Sequence, residues 1–317
     1  MKIVTIVCWC VAALAIAGLV IWFLTGTSLL RNVGGRSFGL RLENLTGPFE
    51  AVGNYSVPAD NLDSIKIDWV AGNITVNPFD GSDIQITEYA RRTLSDNEKL
   101  YCGVSGRTLN IDFHEKRFNI INMPEKRLEV RIPRALCDNL ESFTVDSTSG
   151  GVSVENMRSV TTKIETVSGA VNLSGIAART LDIGSASGSI TLKSVTADEI
   201  KASSVSGAMH FSETVIPIIN CHSTSGRLEL SGSFENVTLE TVSGSIDLTS
   251  SAVPESLRAE TTSGSITVKV PDEGSVSVKH SSVSGRFTSD IPVTMQGNGA
   301  RFNFHTISGS VKIEVLG

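Results

Sequence analysis

Hydrophobic and polar residues alternate around a recurring Ser-Gly pair through the C-terminal half of the chain. The phrase ETVSGAVNL (165–173) returns as ETVSGSIDL (240–248) and ETTSGSITV (260–268). The residues two and four places after each glycine are apolar with one exception, Ser289. The residues seven and five places before it are mostly apolar as well. Because a period of two is typical of a half-buried strand, we predict that one strand enters and another leaves each Ser-Gly pair.

Nine of these pairs, each with Ser or Thr three places before the glycine, are spaced 18–24 residues apart. Repetition at this period is typical of a solenoid, in which each coil buries its apolar face against the next. A propeller blade would need about 40 residues. We therefore predict an all-β fold, a parallel β-helix or β-solenoid with about 19–20 residues per coil. The predicted corner glycines are Gly150, Gly169, Gly188, Gly207, Gly226, Gly244, Gly264, Gly285 and Gly309.

Hydroxyl side chains recur at these corners, three places and one place before each glycine. We predict that they form ladders along the stack, in which they hydrogen-bond to one another and to turn amides that would otherwise be buried without partners. Glycine is expected at the corner because it adopts a positive φ without steric cost. Replacing Gly188 with valine should therefore strain the backbone.

The N-terminal segment differs from the repeats, because the 22 residues of Ile3–Leu24 carry no charge. A helix of that length spans about 33 Å, enough for the hydrocarbon core of a bilayer. We predict a retained transmembrane helix, with a cleaved signal peptide as the alternative. Lys2 favours a cytoplasmic N-terminus, whereas Arg31, Arg36 and Arg41 favour the opposite orientation. The Ser/Thr/Gly-rich body favours export, so we expect a single-pass protein of the cell membrane with its C-terminal part outside the cytoplasm.

Between the anchor and the regular repeats the strand pattern is looser. RLEVRIP (127–133) alternates like a repeat strand but precedes the first regular corner. EYARRTLSDNEK (88–99) is a charged insertion, predicted as a solvated loop or a short helix. The predicted parts are 1–25 (anchor or uncleaved signal), 26–49 (linker), 50–142 (irregular N-terminal coils) and 143–317 (regular β-solenoid repeats).

The composition and net charge of the chain argue against several classes of function. The net charge is −6 and the basic residues are scattered, so no nucleic-acid partner is predicted. Aromatic residues make up 6% of the chain and fall mostly in the buried rows, which disfavours an aromatic platform for sugars. Cysteines outside the apolar run are too far apart for a metal or disulfide framework, and we predict that they are small buried hydrophobes. They are Cys102, Cys137 and Cys221.

Some parallel β-helices cleave polysaccharides with carboxylates that converge on neighbouring coils. Acidic residues face outward at consecutive levels here, at Asp146 and Glu165 and again at Glu240 and Glu260. A basic residue flanks each pair, which is typical of a solvated sheet face. The sequence therefore predicts no enzyme activity, no catalytic or metal site, no cofactor and no small-molecule substrate.

The last strand is predicted to be an open edge of the stack. Val311, Ile313 and Val315 alternate in the buried register after the Gly309 corner. An uncovered final coil would offer unpaired backbone groups above an apolar layer. These three residues are therefore a candidate docking edge for a second copy of the chain or for a protein partner. Alternatively, TSDIPVTMQGNGARF (288–302) lies across the end as a partial lid.

The repeated Ser-x-Ser-Gly corners with their alternating flanking strands resemble the β-strand-repeat domain of bacterial adhesin-like envelope proteins. They are also similar to the toastrack domains of phage-shock and cell-envelope-stress systems. The resemblance covers residues 60–317, includes the RLEVRIP strand, and agrees with a single N-terminal anchor. It implies a membrane-attached, non-enzymatic module at the cell surface. An accessory role in envelope-stress signalling is the first alternative, and a polysaccharide-binding or polysaccharide-cleaving β-helix is the second.

Overall fold

The computed structural model describes residues 47–114, 124–294 and 299–317. Within these ranges, no helix has the length and apolar character needed to cross a bilayer. The predicted anchor at 3–24 and most of the linker at 26–49 lie outside them.

The described residues form strands almost throughout, with one short helix. The strands and the helix, in chain order, are β1 (Glu50–Pro58), β2 (Ser64–Ala71), β3 (Ile74–Phe79), β4 (Asp83–Ala90), β5 (Tyr101–Ser105), β6 (Thr108–Asp112), β7 (Lys126–Pro133), α1 (Arg134–Cys137), β8 (Leu140–Ser149), β9 (Val152–Glu155), β10 (Arg158–Thr166), β11 (Val171–Ser174), β12 (Ala177–Ser185), β13 (Ile190–Lys193), β14 (Thr196–Ser204), β15 (Met209–Ser223), β16 (Leu228–Thr241), β17 (Ile246–Ser250), β18 (Ser256–Ser263), β19 (Ile266–Val270), β20 (Val276–Ser284), β21 (Phe287–Ser289), β22 (Val293–Thr294), β23 (Arg301–Ser308) and β24 (Val311–Val315).

The regular repeats stack as parallel coils, which confirms the predicted β-solenoid. β10 pairs in parallel with β12 so that Ile164 lies beside Ile183, nineteen residues further along the chain. β11 and β13 pair in the same way, with Leu173 beside Leu192. Equivalent positions of the repeat therefore lie one above another. Their apolar side chains point inward and are almost completely buried, so the rows read from the sequence form the core.

The order of the coils differs from their order in the chain at the C-terminal end. β23 lies between β18 and β20, and β24 lies between β19 and β21. The last coil of the chain is thus inserted between the coil with the Gly264 corner and the coil with the Gly285 corner. The Gly285 coil, formed by β20 and β21, is the terminal one.

This insertion corrects the predicted docking edge. Val311 and Ile313 have strand neighbours on both sides and are fully buried, so β24 is not the edge of the stack. Val315 is the partly exposed member of the three. The predicted lid is present in part: Ile291 is buried, and Val293 pairs with Val276 at the start of the terminal coil.

An antiparallel cap covers the opposite end of the solenoid. β2 and β3 begin the stack, and their outer neighbours β6 and β7 run parallel to them. β5 then pairs antiparallel with β6, while β4 pairs antiparallel with β7 and β1 with β4. The charged insertion at 88–99 belongs to this cap. Its first residues end β4, and Glu88 is fully buried rather than solvated.

Most of the corner glycines are needed for close approach between coils rather than for a positive φ, although Gly150 and Gly309 have a positive φ as well. Gly188 does not have a positive φ, so the reason expected for a glycine at this corner was wrong. A Cβ added at Gly188 would overlap the carbonyl oxygen of Gly169 in the coil before it. Each regular corner from Gly169 onward stacks on its neighbour in this way. The contacts also follow the inserted order, because Gly309 stacks on Gly264 and Gly285 stacks on Gly309.

The predicted hydrogen bonds between turn amides and corner hydroxyls are present at five corners, whereas the corner hydroxyls of the described residues bind backbone groups rather than one another. Ser204 Oγ accepts a hydrogen bond of 2.8 Å from the amide of Gly207, and the corners from Gly169 to Gly244 repeat the contact. The serine just before the glycine instead donates to a carbonyl of the preceding coil, as Ser206 does to Ala186. The two rows of hydroxyls therefore satisfy backbone groups at the turns.

Candidate interaction surfaces

Outward charged rows run along the face formed by β8, β10, β16 and β18. Lys163 Nζ lies 2.8 Å from a carboxylate oxygen of Glu165. Arg258 contacts Glu240 at 3.3 Å and Glu260 at 3.0 Å. A hydrogen bond from His222, together with the charge of Arg258, lowers the pKa of Glu240, and partial burial opposes this shift. These carboxylates are therefore neutralised by neighbours on the same or the next coil.

An acidic ladder crosses the junction between the cap and the regular coils. Asp112 pairs in register with Asp68, Asp68 with Asp146, and Asp146 with Glu165. Partial burial, strengthened by adjacent carboxylates, raises the pKa of both Asp68 and Asp146. Lys66 lies 3.9 Å from Asp146. Among the residues described, no group of three or more acidic, His or Cys side chains has the geometry to hold a metal ion.

A groove of about 330 Å³ lies on the outer face of β3, β4 and β7. Its aromatic wall is Phe49, whose ring is covered by Arg91 at 4.2 Å and by Arg127 at 3.9 Å from the centroid. Tyr89 donates a 2.8 Å hydrogen bond to Glu129, which raises the pKa of the phenol. The side chains that line the groove thus contact one another, and two guanidinium groups already pack against the Phe49 ring.

A second groove of about 210 Å³ lies on the outer face of the central coils, along β15, β16 and β17. Arg227 bridges two levels, because it lies 2.9 Å from Asp247 and 3.9 Å from Glu229. His210 lies 3.5 Å from Glu229. The groove is lined by paired charges of both signs, as on the neighbouring face.

The cap contains a fully buried ion pair. Lys126 Nζ lies 2.7 Å from Glu88, and both side chains are inaccessible to solvent. The ammonium also donates to the carbonyls of Glu98 and Phe113 and lies over the Phe113 ring, 3.9 Å from its centroid. Desolvation lowers the pKa of Lys126, opposed by its contacts with Glu88. This lysine joins three segments of the cap, so its geometry indicates a structural role.

The terminal coil presents an unpaired strand edge. β20 pairs with β23 on one side and, within the described residues, only through Val276 and Ser277 with β22 on the other. Val283, at 81% exposure, stands on this edge. His280 stacks on Phe287 with ring centroids 5.4 Å apart. This edge takes the place of the one predicted at Val311, Ile313 and Val315.

The cysteines agree only partly with the prediction of buried hydrophobes. Cys137 and Cys221 are buried, whereas Cys102 in β5 is half-buried, and all three are free thiols. Desolvation raises the pKa of Cys102 to about 11 and that of Cys137 to about 12. The thiolate, which is the nucleophilic and metal-binding form, is therefore disfavoured at these positions.

Comparison with protein families decides the classification. The model of the Toastrack DUF4097 family matches residues 62–314, which include the cap strands from β2 onward and all nine corners. The chain belongs to the toastrack family. A search among curated proteins found no match.

Several solved structures are similar to this toastrack chain over most of its length. A "putative adhesin" from Bacteroides fragilis is 15% identical with a TM-score of 0.43, and covers 83% of this chain and 95% of its own. A "putative lipid binding protein" from Parabacteroides distasonis is 14% identical with a TM-score of 0.46, covering 83% and 96%. A "putative adhesin" from Parabacteroides merdae is 13% identical with a TM-score of 0.40, covering 83% and 95%.

Several features of this toastrack protein were not found by sequence reasoning. Asp68 and Asp112 extend the acidic ladder, but their strands lack the regular corner spacing that aligned the other rows. Glu88 and Lys126, which form the buried ion pair, are 38 positions apart in the sequence. Each lies in a charged segment, and such segments are usually exposed to solvent. Lys126 lies between Glu125 and Arg127, so nothing in the sequence distinguishes it from the exposed charges beside it.

Proposed function

We propose that this toastrack protein is a non-enzymatic, adhesin-like interaction module of the bacterial cell envelope, attached to the membrane through residues 3–24. The observation that carries the proposal is the pairing of outward charges along the solenoid. Lys163 with Glu165, and Arg258 with Glu240 and Glu260, form ion pairs rather than a set of free carboxylates facing a cleft. A long surface with both signs of charge interspersed suits contact with another macromolecule.

Membership of the toastrack family supports the same function, because the match extends over the whole solenoid. The polysaccharide-cleaving alternative would need an acid and a second carboxylate on opposite sides of a glycosidic bond. The acidic ladder instead places carboxylates on neighbouring strands of one sheet face, about 4.8 Å apart at the backbone. Carboxylates in a single row repel one another and raise each other's pKa. They do not lie on two sides of a bond, as cleavage of a glycosidic bond requires.

Attachment and topology can be tested on cells that carry the full chain. Protease added after removal of the cell wall should degrade the body and leave a membrane-bound fragment that contains residues 3–24. Cells expressing the chain should also adhere to each other or to a surface more than cells without it. A protected body, or unchanged adhesion, would contradict the proposal.

Enzyme activity is tested separately with purified protein. Incubation with a panel of bacterial polysaccharides should release no new reducing ends. Release that disappears in the Asp146→Asn and Glu165→Gln variants would assign a glycosidase site to the ladder and overturn the non-enzymatic function.

A further inference from the structure

The groove on the outer face of β3, β4 and β7 holds a cation that the described residues do not neutralise. Arg127 packs on the Phe49 ring, 3.9 Å from its centroid, and makes no hydrogen bond or ion pair with any described residue. Arg131, four residues along β7, packs on Phe79 at 4.6 Å and likewise has no carboxylate partner in that part of the chain. Arg258 on the solenoid face, by contrast, contacts two carboxylates. Stacking on a ring holds each guanidinium group in place, so the groove and its margin present fixed cations to an anion.

Hydrogen-bonding groups with unused capacity lie between the two arginines. Glu129 stands between them on β7, and Thr75 lies beside it on β3. Tyr89 donates to one carboxylate oxygen of Glu129, and the other oxygen has no hydrogen-bond donor among the described residues. The Thr75 hydroxyl has no partner there either. Asn73 uses its Oδ1 to accept from the amide of Gly151, which leaves its NH2 group as a donor.

The ligand that matches these groups carries both carboxylates and hydroxyl groups. A carboxylate can accept two parallel hydrogen bonds from one guanidinium group. Ligand hydroxyls can donate to Glu129 and accept from Asn73 and Thr75. Outward side chains four residues apart on a strand are separated by about 13 Å, so Arg127 and Arg131 suit two carboxylates of one extended chain better than a single small anion. A polyanion without hydroxyls fits less well, because Glu129 would repel it.

We propose that this groove, together with Arg131 at its margin, binds an acidic polysaccharide, with uronic acid carboxylates on Arg127 and Arg131 and sugar hydroxyls on Glu129. The inference rests on the proposed function, because it names a ligand class for the adhesin-like module. It involves no cleavage of the bound chain. Glu129 is the one carboxylate among the residues that line the groove, whereas hydrolysis of a glycosidic bond requires two.

Isothermal titration calorimetry of the full chain in detergent tests the proposal, with hexagalacturonate as the probe. The wild type should bind it with a dissociation constant of about 10–500 µM, as expected for a shallow, polar site. Arg127→Gln/Arg131→Gln should raise that constant by at least about tenfold. The matched control is Arg158→Gln/Arg179→Gln, which removes the same charge from exposed arginines of β10 and β12, outside the groove. Its constant should remain within about twofold of wild type.

Glu129→Gln separates a sugar site from simple attraction between opposite charges. The change removes a negative charge, so it would strengthen the binding of any polyanion held by charge alone. Where the carboxylate accepts sugar hydroxyls, the variant should instead weaken hexagalacturonate binding by about three- to tenfold, because a neutral amide oxygen is a poorer acceptor. Neutral cellohexaose and a hexaglutamate peptide should each bind at least about tenfold more weakly than hexagalacturonate, since each lacks one of the two kinds of group.

Several results would overturn the proposal. They are no binding of hexagalacturonate up to about 5 mM, tighter binding by Glu129→Gln, equal losses in the two double variants, or equal binding of hexaglutamate. The double variants should melt at the wild-type temperature, because all four arginines are exposed. Cell adhesion without hexagalacturonate binding would contradict this inference alone. Binding without cell adhesion would contradict the proposed function and leave the saccharide site in place.

Discussion

The corner glycines leave no room for a side chain, because successive coils bring their backbones together at this point. A Cβ on Gly188 would overlap the carbonyl oxygen and carbon of Gly169. Backbone atoms of a paired coil cannot move aside as the tip of a flexible side chain can. The sequence showed that these positions are glycine, but the reason became visible only when the coils were stacked.

Gly188→Ala should therefore destabilise the solenoid by about 2–4 kcal/mol through overlap with the neighbouring coil. The matched control is Gly184→Ala on the outer face of the same coil, where the added Cβ would lie 3.7 Å from Glu165 and Ser203. That change should alter the free energy of unfolding by less than about 1 kcal/mol. Urea unfolding followed by circular dichroism measures both, and equal midpoints would show that close approach is not the constraint.

The hydroxyl three places before the corner can be tested in the same way. Ser204→Ala removes the acceptor of the Gly207 amide and should cost about 1–3 kcal/mol, because the donor remains buried. Ser206→Ala removes a longer hydrogen bond of 3.4 Å at an exposed position. It should cost less than about 0.5 kcal/mol. Comparable losses in thermal unfolding would mean that the two rows of hydroxyls contribute equally.

At the scale of elements, the cap depends on polar contacts that the regular coils lack. Its strands run antiparallel and its loop at 91–100 carries no repeat, so alternation alone could not place it. The buried pair of Lys126 and Glu88 connects β7 with β4, and Lys126 reaches the loop through the carbonyl of Glu98. The regular coils were predictable because identical corners impose identical register. The cap was not, because each of its contacts occurs once.

Lys126→Met should destabilise the protein by about 3–5 kcal/mol, since it leaves the charge of Glu88 buried without a cation. The double variant Lys126→Met/Glu88→Gln removes that charge and should recover part of the loss. Lys163→Met breaks an exposed pair with Glu165 and should cost less than about 1 kcal/mol. A double variant no more stable than Lys126→Met would show that the ion pair is not the cause.

The loop of the cap should also confer a pH dependence. Bidentate contacts from Arg92 at 2.6 and 2.9 Å, together with hydrogen bonds from Ser95, lower the pKa of Glu98 to about 2. Because the folded pKa lies below the unfolded value, the stabilisation is complete above pH of about 4.5 and is lost as the pH falls toward about 2. After allowance for solvent screening it amounts to about 1–2 kcal/mol.

Glu98→Gln should therefore reduce stability at pH 6 and lower the steepness of the loss between about pH 4.5 and pH 3. Urea unfolding at a series of pH values measures the slope for both proteins. If the two curves run parallel through this range, Glu98 does not carry the effect.

At the scale of the whole molecule, the repeat fixed the architecture but not the order of all the coils. Every coil has the same alternation of apolar and polar residues. The hydrophobic pattern alone therefore allows any two coils to stack on each other. Stacking in chain order was the simplest expectation, and it placed Val311, Ile313 and Val315 at the end. The structure instead inserts that coil next to β18 and β19, and the free edge passes to β20. The edge of the stack was therefore predicted on the wrong strand, because stacking in chain order placed β24 rather than β20 at the end.

The inserted coil order is the claim on which the position of the free edge depends, and paired cysteines test it directly. In the structure, outward-facing Lys312 lies in register with Thr267 on one side and Thr288 on the other. Thr267→Cys/Lys312→Cys should form an intramolecular disulfide, because neighbouring strands bring the Cα atoms within the range of about 4.4–6.8 Å that a disulfide needs. Thr267→Cys/Thr288→Cys should remain reduced, since two strand spacings of about 9.6 Å separate those positions. Stacking in chain order would give the opposite result, with a disulfide between positions 267 and 288 and none between 267 and 312, and peptide mapping after mild oxidation would reveal it.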